Sequence, residues 1–294
     1  MKRSLVLSSI VAVGVALVAG RALVAQQPAP AGPNVANIEK IKDNLYLVTG
    51  GGGNTAVYVT GTGVVLVDTK LANWGQAIMD KVKTVTDKPV THIINTHTHG
   101  DHVGSNDFFP ASVEIVAHAN VKASMQTMPQ FADASKASAL PDTTYTDRMT
   151  VLGGGDAIDL YHFGPAHTNG DTYIVFRGLK VMHAGDTFPR ASTPFIDRNN
   201  GGSGVAYPET LAKAAAGIKD VDTVIPGHSA VTTWTAFTEY GEFIKALVDE
   251  AKKAKAAGKT AEQGAAELTL PQKFKDYGRQ SAKDNFTAIY ADLP

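Results

Sequence analysis

Four metal-ligating side chains lie close together in this sequence, directly after an apolar run that ends at Asn95. They are His97, His99, Asp101 and His102. In extended backbone, side chains two residues apart point to the same side, so His97 and His99 can bind one ion from one direction. A histidine-rich surface turn is the alternative, but an HxHxDH pattern rarely arises by chance. Imidazole nitrogens with a carboxylate oxygen suit zinc, and suit iron or manganese less decisively. The spacing therefore predicts a metal site.

Three later segments offer the remaining ligands for such a site. His167, Asp186 and His228 each follow a short apolar run of strand length, and each lies in a loop marked by glycine or proline. In α/β sheets, ligands gather outside the carboxyl ends of the strands. We therefore expect these three side chains to complete the metal site.

The order of these motifs resembles that of the metallo-β-lactamase superfamily: HxHxDH, then histidine in a Gly-x-x-His-Thr loop, then Gly-Asp and Gly-His. The resemblance covers roughly residues 38–228. It implies an α/β fold of the αββα sandwich type, with the metals along one edge. It also implies two ligand sets, with Asp186 as the bridge between the two metals. His97, His99 and His167 would hold the first metal, and Asp101, His102 and His228 the second.

Three ligand positions indicate the subgroup. Asp186 stands where class B1 and B2 β-lactamases carry cysteine, and His102 stands where many class B1 enzymes carry a basic or small residue. The ligand set is therefore more similar to that of glyoxalase II and the lactonases. His99, in place of glutamate, argues against the flavo-di-iron branch.

The resemblance implies a hydrolase with two Zn²⁺ per chain and a small-molecule substrate. A hydroxide that bridges the ions would attack the substrate, and Asp101 would orient it and accept its proton. The expected bond is a strained cyclic amide or an ester, with a β-lactam as the first expectation and a lactone as the second. A glyoxalase II-like thioesterase and a mononuclear-iron sulfur dioxygenase remain as alternatives, because both keep HxHxDH.

The loop after Asp186 is expected to contact the substrate. Class B1 enzymes place there a cation and an asparagine that hold a substrate carboxylate and carbonyl. By that resemblance, Arg190 and either Asn199 or Asn200 are the candidate substrate contacts, with a solvated loop position as the alternative for each. Four successive glycines at residues 50–53 predict a loop beside the metals, either a mobile flap or a simple connection.

The four other histidines are expected to pack or to support the metal ligands rather than to bind metal, because seven ligands already complete the site. They are His92, His118, His162 and His183.

Residues 1–25 resemble a secretory signal peptide. Lys2 and Arg3 precede an apolar stretch, and small residues allow cleavage after Ala22 or Ala25. A retained membrane anchor is the alternative, but this apolar stretch is short for a span. We therefore expect a periplasmic or secreted protein without a membrane anchor after cleavage.

The remaining chain is expected to contain a linker at residues 26–35 and one metallo-β-lactamase-type domain at residues 36–294, with C-terminal helices from about residue 235. Strand and helix patterns alternate in both halves, whereas residues 125–147 show little periodicity. The oligomeric state cannot be inferred from these patterns.

Composition excludes several other functions. The chain carries 27 lysines and arginines against 28 aspartates and glutamates, so it has no excess of positive charge for binding phosphates, and nucleic acid is not expected as a partner. The absence of cysteine excludes disulfides, thiolate metal ligands and a cysteine nucleophile.

Overall fold

The computed structural model describes residues 34–131 and 133–294. The predicted signal peptide and most of the predicted linker lie outside the described residues. Residues 34–294 belong to one structural unit. Within the described part of the chain, no helix is both long and apolar enough to cross a membrane.

Two mixed sheets form the centre of the fold. The first sheet has seven strands whose spatial order follows the sequence. These are β1 (Asn37–Lys42), β2 (Leu45–Thr49), β3 (Thr55–Val59), β4 (Val64–Val67), β5 (Val90–Ile94), β6 (Glu114–His118) and β7 (Thr143–Tyr145). The second sheet has six strands, in the spatial order β13 to β8. These are β8 (Arg148–Val151), β9 (Ile158–Tyr161), β10 (Tyr173–Phe176), β11 (Val181–Gly185), β12 (Thr223–Pro226) and β13 (Thr232–Thr233).

Helices connect these strands and cover the outer faces of the sheets. The described residues contain α1 (Gly75–Val82), α2 (Gly100–Val103), α3 (Ala119–Thr127), α4 (Tyr207–Gly217), α5 (Trp234–Ala256), α6 (Ala261–Ala266) and α7 (Ala282–Asp292). The Thr233 side chain caps α5 by accepting a hydrogen bond from Ala236 N, which satisfies one of the free N–H groups of the first turn.

Burial on both faces of the sheets explains the long apolar runs of the sequence. In β10, Ile174 and Phe176 pack between the two sheets, whereas Tyr173 and Val175 pack against the helical layer formed by α4, α5 and α7. A separate apolar cluster joins α1 to the first sheet. The layers are therefore helix, sheet, sheet and helix, which confirms the expected αββα sandwich.

The region with little periodicity contains regular structure that its sequence did not predict. β7 pairs in parallel with β6, with Val116 opposite Thr143, and the last turn of α3 extends into this region as far as Thr127. A three-residue strand at the sheet edge is too short to show apolar alternation. The C-terminal helices begin at Trp234 and pack on the core of the second sheet.

Parallel pairing brings the ends of four strands to the same edge. β4 is parallel to β5, and β11 is parallel to β12. Candidate functional side chains follow these four strands. In α/β proteins, bound molecules gather at the carboxyl ends of parallel strands, so this edge is the expected place for a site.

Candidate metal centre

The HxHxDH segment forms a loop that leads from β5 into the short helix α2. His97 is buried, and the backbone at His99 is extended (φ −67°, ψ 144°) immediately before α2 begins. Asp101 and His102 lie on α2. The change from extended to helical backbone turns the four side chains toward a common region.

Three histidines form the first candidate metal site. The nitrogen atoms that His97, His99 and His167 can offer lie within 4.8 Å of one another. His99 Nδ1 and His167 Nε2 are 2.9 Å apart. This set is the one that the resemblance assigned to the first metal.

A carboxylate and two histidines form the second candidate site. His102 Nε2 lies 3.3 Å from His228 Nε2, and Asp101 Oδ2 lies 3.4 Å from His228 Nε2. These three residues can also offer ligand atoms that are mutually within 4.8 Å.

Asp186 lies between the two sites. Its Oδ1 is 3.4 Å from His102 Nε2, and its Oδ2 is 3.2 Å from His228 Nε2 and 3.7 Å from His167 Nε2. The structure therefore brings all seven predicted ligands together, and the position of Asp186 suits a bridging carboxylate.

Three hydrogen-bond acceptors orient three of the histidine rings through the ring nitrogen that faces away from the candidate metal sites. His102 Nδ1 donates to Asp68 Oδ2 (2.6 Å), and His99 Nε2 donates to Asp197 Oδ2 (2.7 Å). His167 Nδ1 donates to the Phe195 carbonyl (2.7 Å). Such bonds fix the tautomer and the orientation of each ring, so that the opposite nitrogen can bind a metal. None of these three acceptors was predicted from the sequence.

Asp68 connects the two candidate sites. Besides His102, it accepts hydrogen bonds from Thr96 N (2.8 Å) and Thr96 Oγ1 (2.7 Å), and it is fully buried. Thr96 Oγ1 in turn lies 2.9 Å from His97 Nδ1. One carboxylate therefore orients a ligand of each site.

We predict that Asp68→Asn weakens metal binding, because an amide cannot accept all these bonds and loses the charge that faces His102. The expected loss of affinity for the more weakly bound ion is about 10- to 100-fold. Competition with a chromogenic chelator measures it directly. An unchanged affinity would contradict the role of Asp68 in orienting His102.

Two buried polar atoms without hydrogen-bond partners indicate that this site fits a metal ion. His97 Nε2 and Asp186 Oδ1 are buried and have no hydrogen-bond partner among the described residues. Unpaired buried polar atoms are costly, and both atoms lie where a cation would bind. The donor set of imidazole and carboxylate suits zinc.

The charges of His97, His167 and Asp186 also suit a cation. Burial lowers the pKa of His97 well below its usual value and lowers that of His167 to about 4, so both rings are neutral, as metal ligation requires. Burial alone would raise the pKa of Asp186, but His102 and His228 outweigh it and hold this pKa well below the usual value. The bridging position therefore carries a negative charge.

The glycine loop at residues 50–53 is tied to the metal site. Gly53 N donates to Asp101 O (3.0 Å), and a β-carbon on Gly53 would collide with the His102 ring. Lys70 is fully buried, and its Nζ donates to the carbonyls of Val48 (2.9 Å) and Gly53 (2.8 Å). These bonds hold the loop as a fixed connection in this structure.

Lys70 makes the stability of the protein depend on pH. Burial lowers the pKa of Lys70 to about 7, despite the opposing effect of Asp68 and Asp101. A neutral amine still has two N–H groups for its two carbonyl partners. The unfolded chain, with a lysine pKa of about 10.4, binds more protons above pH 7, so the free energy of unfolding should rise with pH from about 7 to about 10 by up to roughly 1.4 kcal/mol per pH unit.

The variant Lys70→Met should lose this rise, because it keeps the aliphatic stem but cannot titrate. We expect the slope of unfolding free energy against pH to be lower than in the wild type by about 1 kcal/mol per unit between about pH 7.5 and 9.5. Urea titrations of both metal-free proteins provide the comparison. Equal slopes would show that Lys70 stays charged in the folded protein.

An open cavity of about 710 Å³ begins at the metal ligands. Its walls come from the loop at residues 189–195 and from Gln280 and Ser281 of the C-terminal segment. Arg190 lines it and makes no ion pair among the described residues, and Phe195 is 59 % exposed at its edge. Asn285 supports the loop by donating its amide to the carbonyl of Pro194 (2.7 Å).

Asn199 and Asn200 do not line this cavity, in contrast to Arg190. Asn200 donates its side-chain amide to Asp197 Oδ2 (2.6 Å), and Asn199 lines a separate cavity. Asp197 also accepts hydrogen bonds from the backbone N–H groups of both asparagines. The two residues therefore belong to the turn that orients Asp197 toward His99.

The four other histidines lie outside the groups of potential metal ligands found among the described residues. His183 is buried next to the site, with Nε2 3.3 Å from the Asn54 carbonyl. His118 and His162 stack on each other with ring centroids 4.1 Å apart, and His92 contacts Thr91.

Comparison with known proteins agrees with this geometry. A sequence profile of the metallo-β-lactamase superfamily matches residues 48–228, which include all seven ligand positions. The chain belongs to the metallo-β-lactamase superfamily. It is therefore a metal-dependent enzyme of the hydrolase type, and this superfamily usually binds zinc.

Two relatives illustrate the range of this superfamily. The metallo-β-lactamase type 2 of Elizabethkingia meningoseptica is 27% identical over 210 residues, which cover 65% of this chain and 78% of that protein. The 2,4-dinitroanisole O-demethylase subunit alpha of Nocardioides sp. (strain JS1661) is 30% identical over 157 residues, which cover 51% of this chain. The match spans only 45% of that subunit.

Solved structures share the fold. A metallo-β-lactamase from Pontibacter korlensis has a TM-score of 0.61 at 18% identity, with 71% of this chain and 99% of that chain covered. A sec-alkylsulfatase from Pseudomonas sp. has a TM-score of 0.73 at 16% identity, with 88% of this chain and 50% of that chain covered. At these identities the likeness concerns the fold alone.

Proposed function

We propose that this protein is an exported hydrolase with two zinc ions, which cleaves a cyclic ester or amide that carries a carboxylate. The observation that carries this proposal is the bridged arrangement of two three-ligand sites around Asp186, at the floor of a cavity with one unpaired cation, Arg190. A lactone or a β-lactam of small size fits this chemistry.

The residues around the cavity have distinct roles in the proposed reaction. Zinc would supply Lewis acidity for the scissile carbonyl and lower the pKa of a water molecule. Asp101 lines the cavity and its side chain is 31% exposed, so it can orient the attacking water and accept its proton. Arg190 can hold the substrate carboxylate by paired hydrogen bonds.

Two observations separate this proposal from the alternatives. A mononuclear-iron dioxygenase needs one metal site, whereas Asp101, His102 and His228 form a second complete set beside the first. A glyoxalase II-like thioesterase would have to bind the two carboxylates of glutathione, but Arg190 is the one Lys or Arg among the described residues of the cavity wall.

A hydrolysis screen tests the proposed reaction. We expect zinc-loaded protein to cleave lactones or β-lactams with a carboxylate faster than thioesters, phosphodiesters, sec-alkyl sulfates and 2,4-dinitroanisole. The Arg190→Gln variant should have a higher KM for the carboxylate substrate. Its KM for the neutral methyl ester of that substrate should equal the wild-type value. Activity limited to a thioester, or to an iron-dependent sulfur dioxygenase reaction, would replace this proposal by the corresponding alternative.

Export is tested separately. Mass spectrometry of the periplasmic or secreted fraction should find a chain that begins after Ala22 or Ala25. An intact chain that retains Met1 in the cytosol would contradict export without affecting the proposed reaction.

A further inference from the structure

A second cavity opens beside the metal centre. Its volume is about 570 Å³, and it shares His228 with the metal cavity but none of the other lining residues. β1, the end of β2, the glycine loop and residues 228–230 form its walls. Because His228 belongs to the second metal site, the second cavity lies directly beside that site.

Asn54 gives this cavity a fixed acceptor. Asn54 as a whole is only 5% exposed, and its Nδ2 donates to the carbonyls of Pro226 (2.8 Å) and Ser229 (2.8 Å). Two carbonyl partners fix the orientation of the amide and use both of its N–H groups. Oδ1 has no hydrogen-bond partner among the described residues, so the free polar atom of Asn54 is an acceptor.

Glu39 adds a negative charge to the same cavity. It lies on the exposed side of β1, lines the cavity and makes no ion pair among the described residues. The described residues of the lining include no lysine or arginine. The cavity is therefore suited to a group that donates hydrogen bonds, and most of all to a cation.

The two cavities differ in charge. The metal cavity carries the unpaired cation Arg190, whereas the second cavity carries the unpaired anion Glu39. The second metal site, which includes His228, lies between them.

We propose that the second cavity binds a part of the substrate that extends beyond the metal centre and selects an ammonium group there through Glu39 and Asn54. The preferred substrate then carries a carboxylate at Arg190 and an ammonium group at Glu39, on opposite sides of the metal centre. This inference rests on the proposed hydrolytic function, and its test includes a binding measurement that does not depend on turnover.

Two matched esters test the selection. Both are glutaric acid monoesters, one of 4-(2-aminoethyl)phenol and the other of 4-ethylphenol, so they differ in the ammonium group alone. We expect wild-type kcat/KM to be about fivefold higher for the ammonium ester, the scale of one partly exposed ion pair. Glu39→Gln should remove this preference by lowering kcat/KM for the ammonium ester to the value for the 4-ethylphenyl ester. The control Asp87→Asn, which removes one negative charge between α1 and β5, should keep the preference.

Binding of the two free phenols gives an independent result. Wild type and Asp87→Asn should bind 4-(2-aminoethyl)phenol more tightly than 4-ethylphenol by NMR titration, and Glu39→Gln should bind both alike. If neither ester is hydrolysed while this difference in binding persists, these open-chain esters are not substrates but the ammonium site stands, and the screen of lactones and β-lactams decides the proposed hydrolysis. Equal binding of the two phenols by the wild type, or an equal loss for both in Glu39→Gln, would overturn the ammonium site.

Discussion

Replacing Asp186 with asparagine should lower kcat/KM by about two to three orders of magnitude. The loss of a single electrostatic contact in an active site has an effect on this scale. Asp186 carries the negative charge between the two candidate sites, and its oxygen atoms lie within 3.7 Å of the ligand nitrogens of both. An amide of the same shape lacks the charge needed to bridge two cations. Steady-state kinetics on the best substrate of the screen provide the measurement.

The exposed Asp276→Asn variant serves as the matched control and should keep wild-type turnover. The Asp186→Asn protein should also retain one zinc ion, because His97, His99 and His167 do not depend on the bridge. Wild-type activity in Asp186→Asn, with unchanged zinc content, would contradict the role of Asp186 as a bridging metal ligand.

Replacing Asp101 with asparagine should lower kcat by about 10²- to 10⁴-fold, the usual contribution of a positioned general base. The amide side chain would keep an oxygen atom near His228 but could not accept a proton from water. We expect this loss at saturating zinc, with KM changed far less than kcat. Single-turnover kinetics separate the chemical step from substrate binding.

The Asp101→Asn variant would behave differently if its activity fell only because it had lost zinc. In that case high zinc concentrations would restore the activity of Asp101→Asn, and the role of Asp101 would be metal binding alone. Recovery of full kcat at any zinc concentration therefore contradicts its role as the proton acceptor.

The ligand positions could be predicted because each follows a strand made of apolar residues. His97 follows β5, Asp186 follows β11 and His228 follows β12, and the strand runs are visible without a structure. Parallel pairing at one edge then brings distant loops together. The αββα order itself came from the resemblance, because neither half shows a sequence repeat.

The residues that support the metal ligands and the adjacent loop could not be predicted in the same way. Asp68 also follows an apolar strand, but its function depends on a contact with His102, 34 residues later in the sequence. Asp197 lies in a loop without periodicity. Lys70 has the sequence context of a surface lysine, and only the positions of the Val48 and Gly53 carbonyls explain its burial. These roles depend on tertiary distances that local patterns do not encode.

The number of metal ions in the purified protein tests the dinuclear site most directly. After equilibration with zinc and removal of the unbound ion, elemental analysis should find two zinc ions per chain in the wild type and one in Asp186→Asn. Exhaustive chelation should abolish hydrolysis, and added zinc should restore it. One ion per wild-type chain that added zinc does not raise, or full activity after chelation, would contradict a hydrolase with a bridged pair of metals.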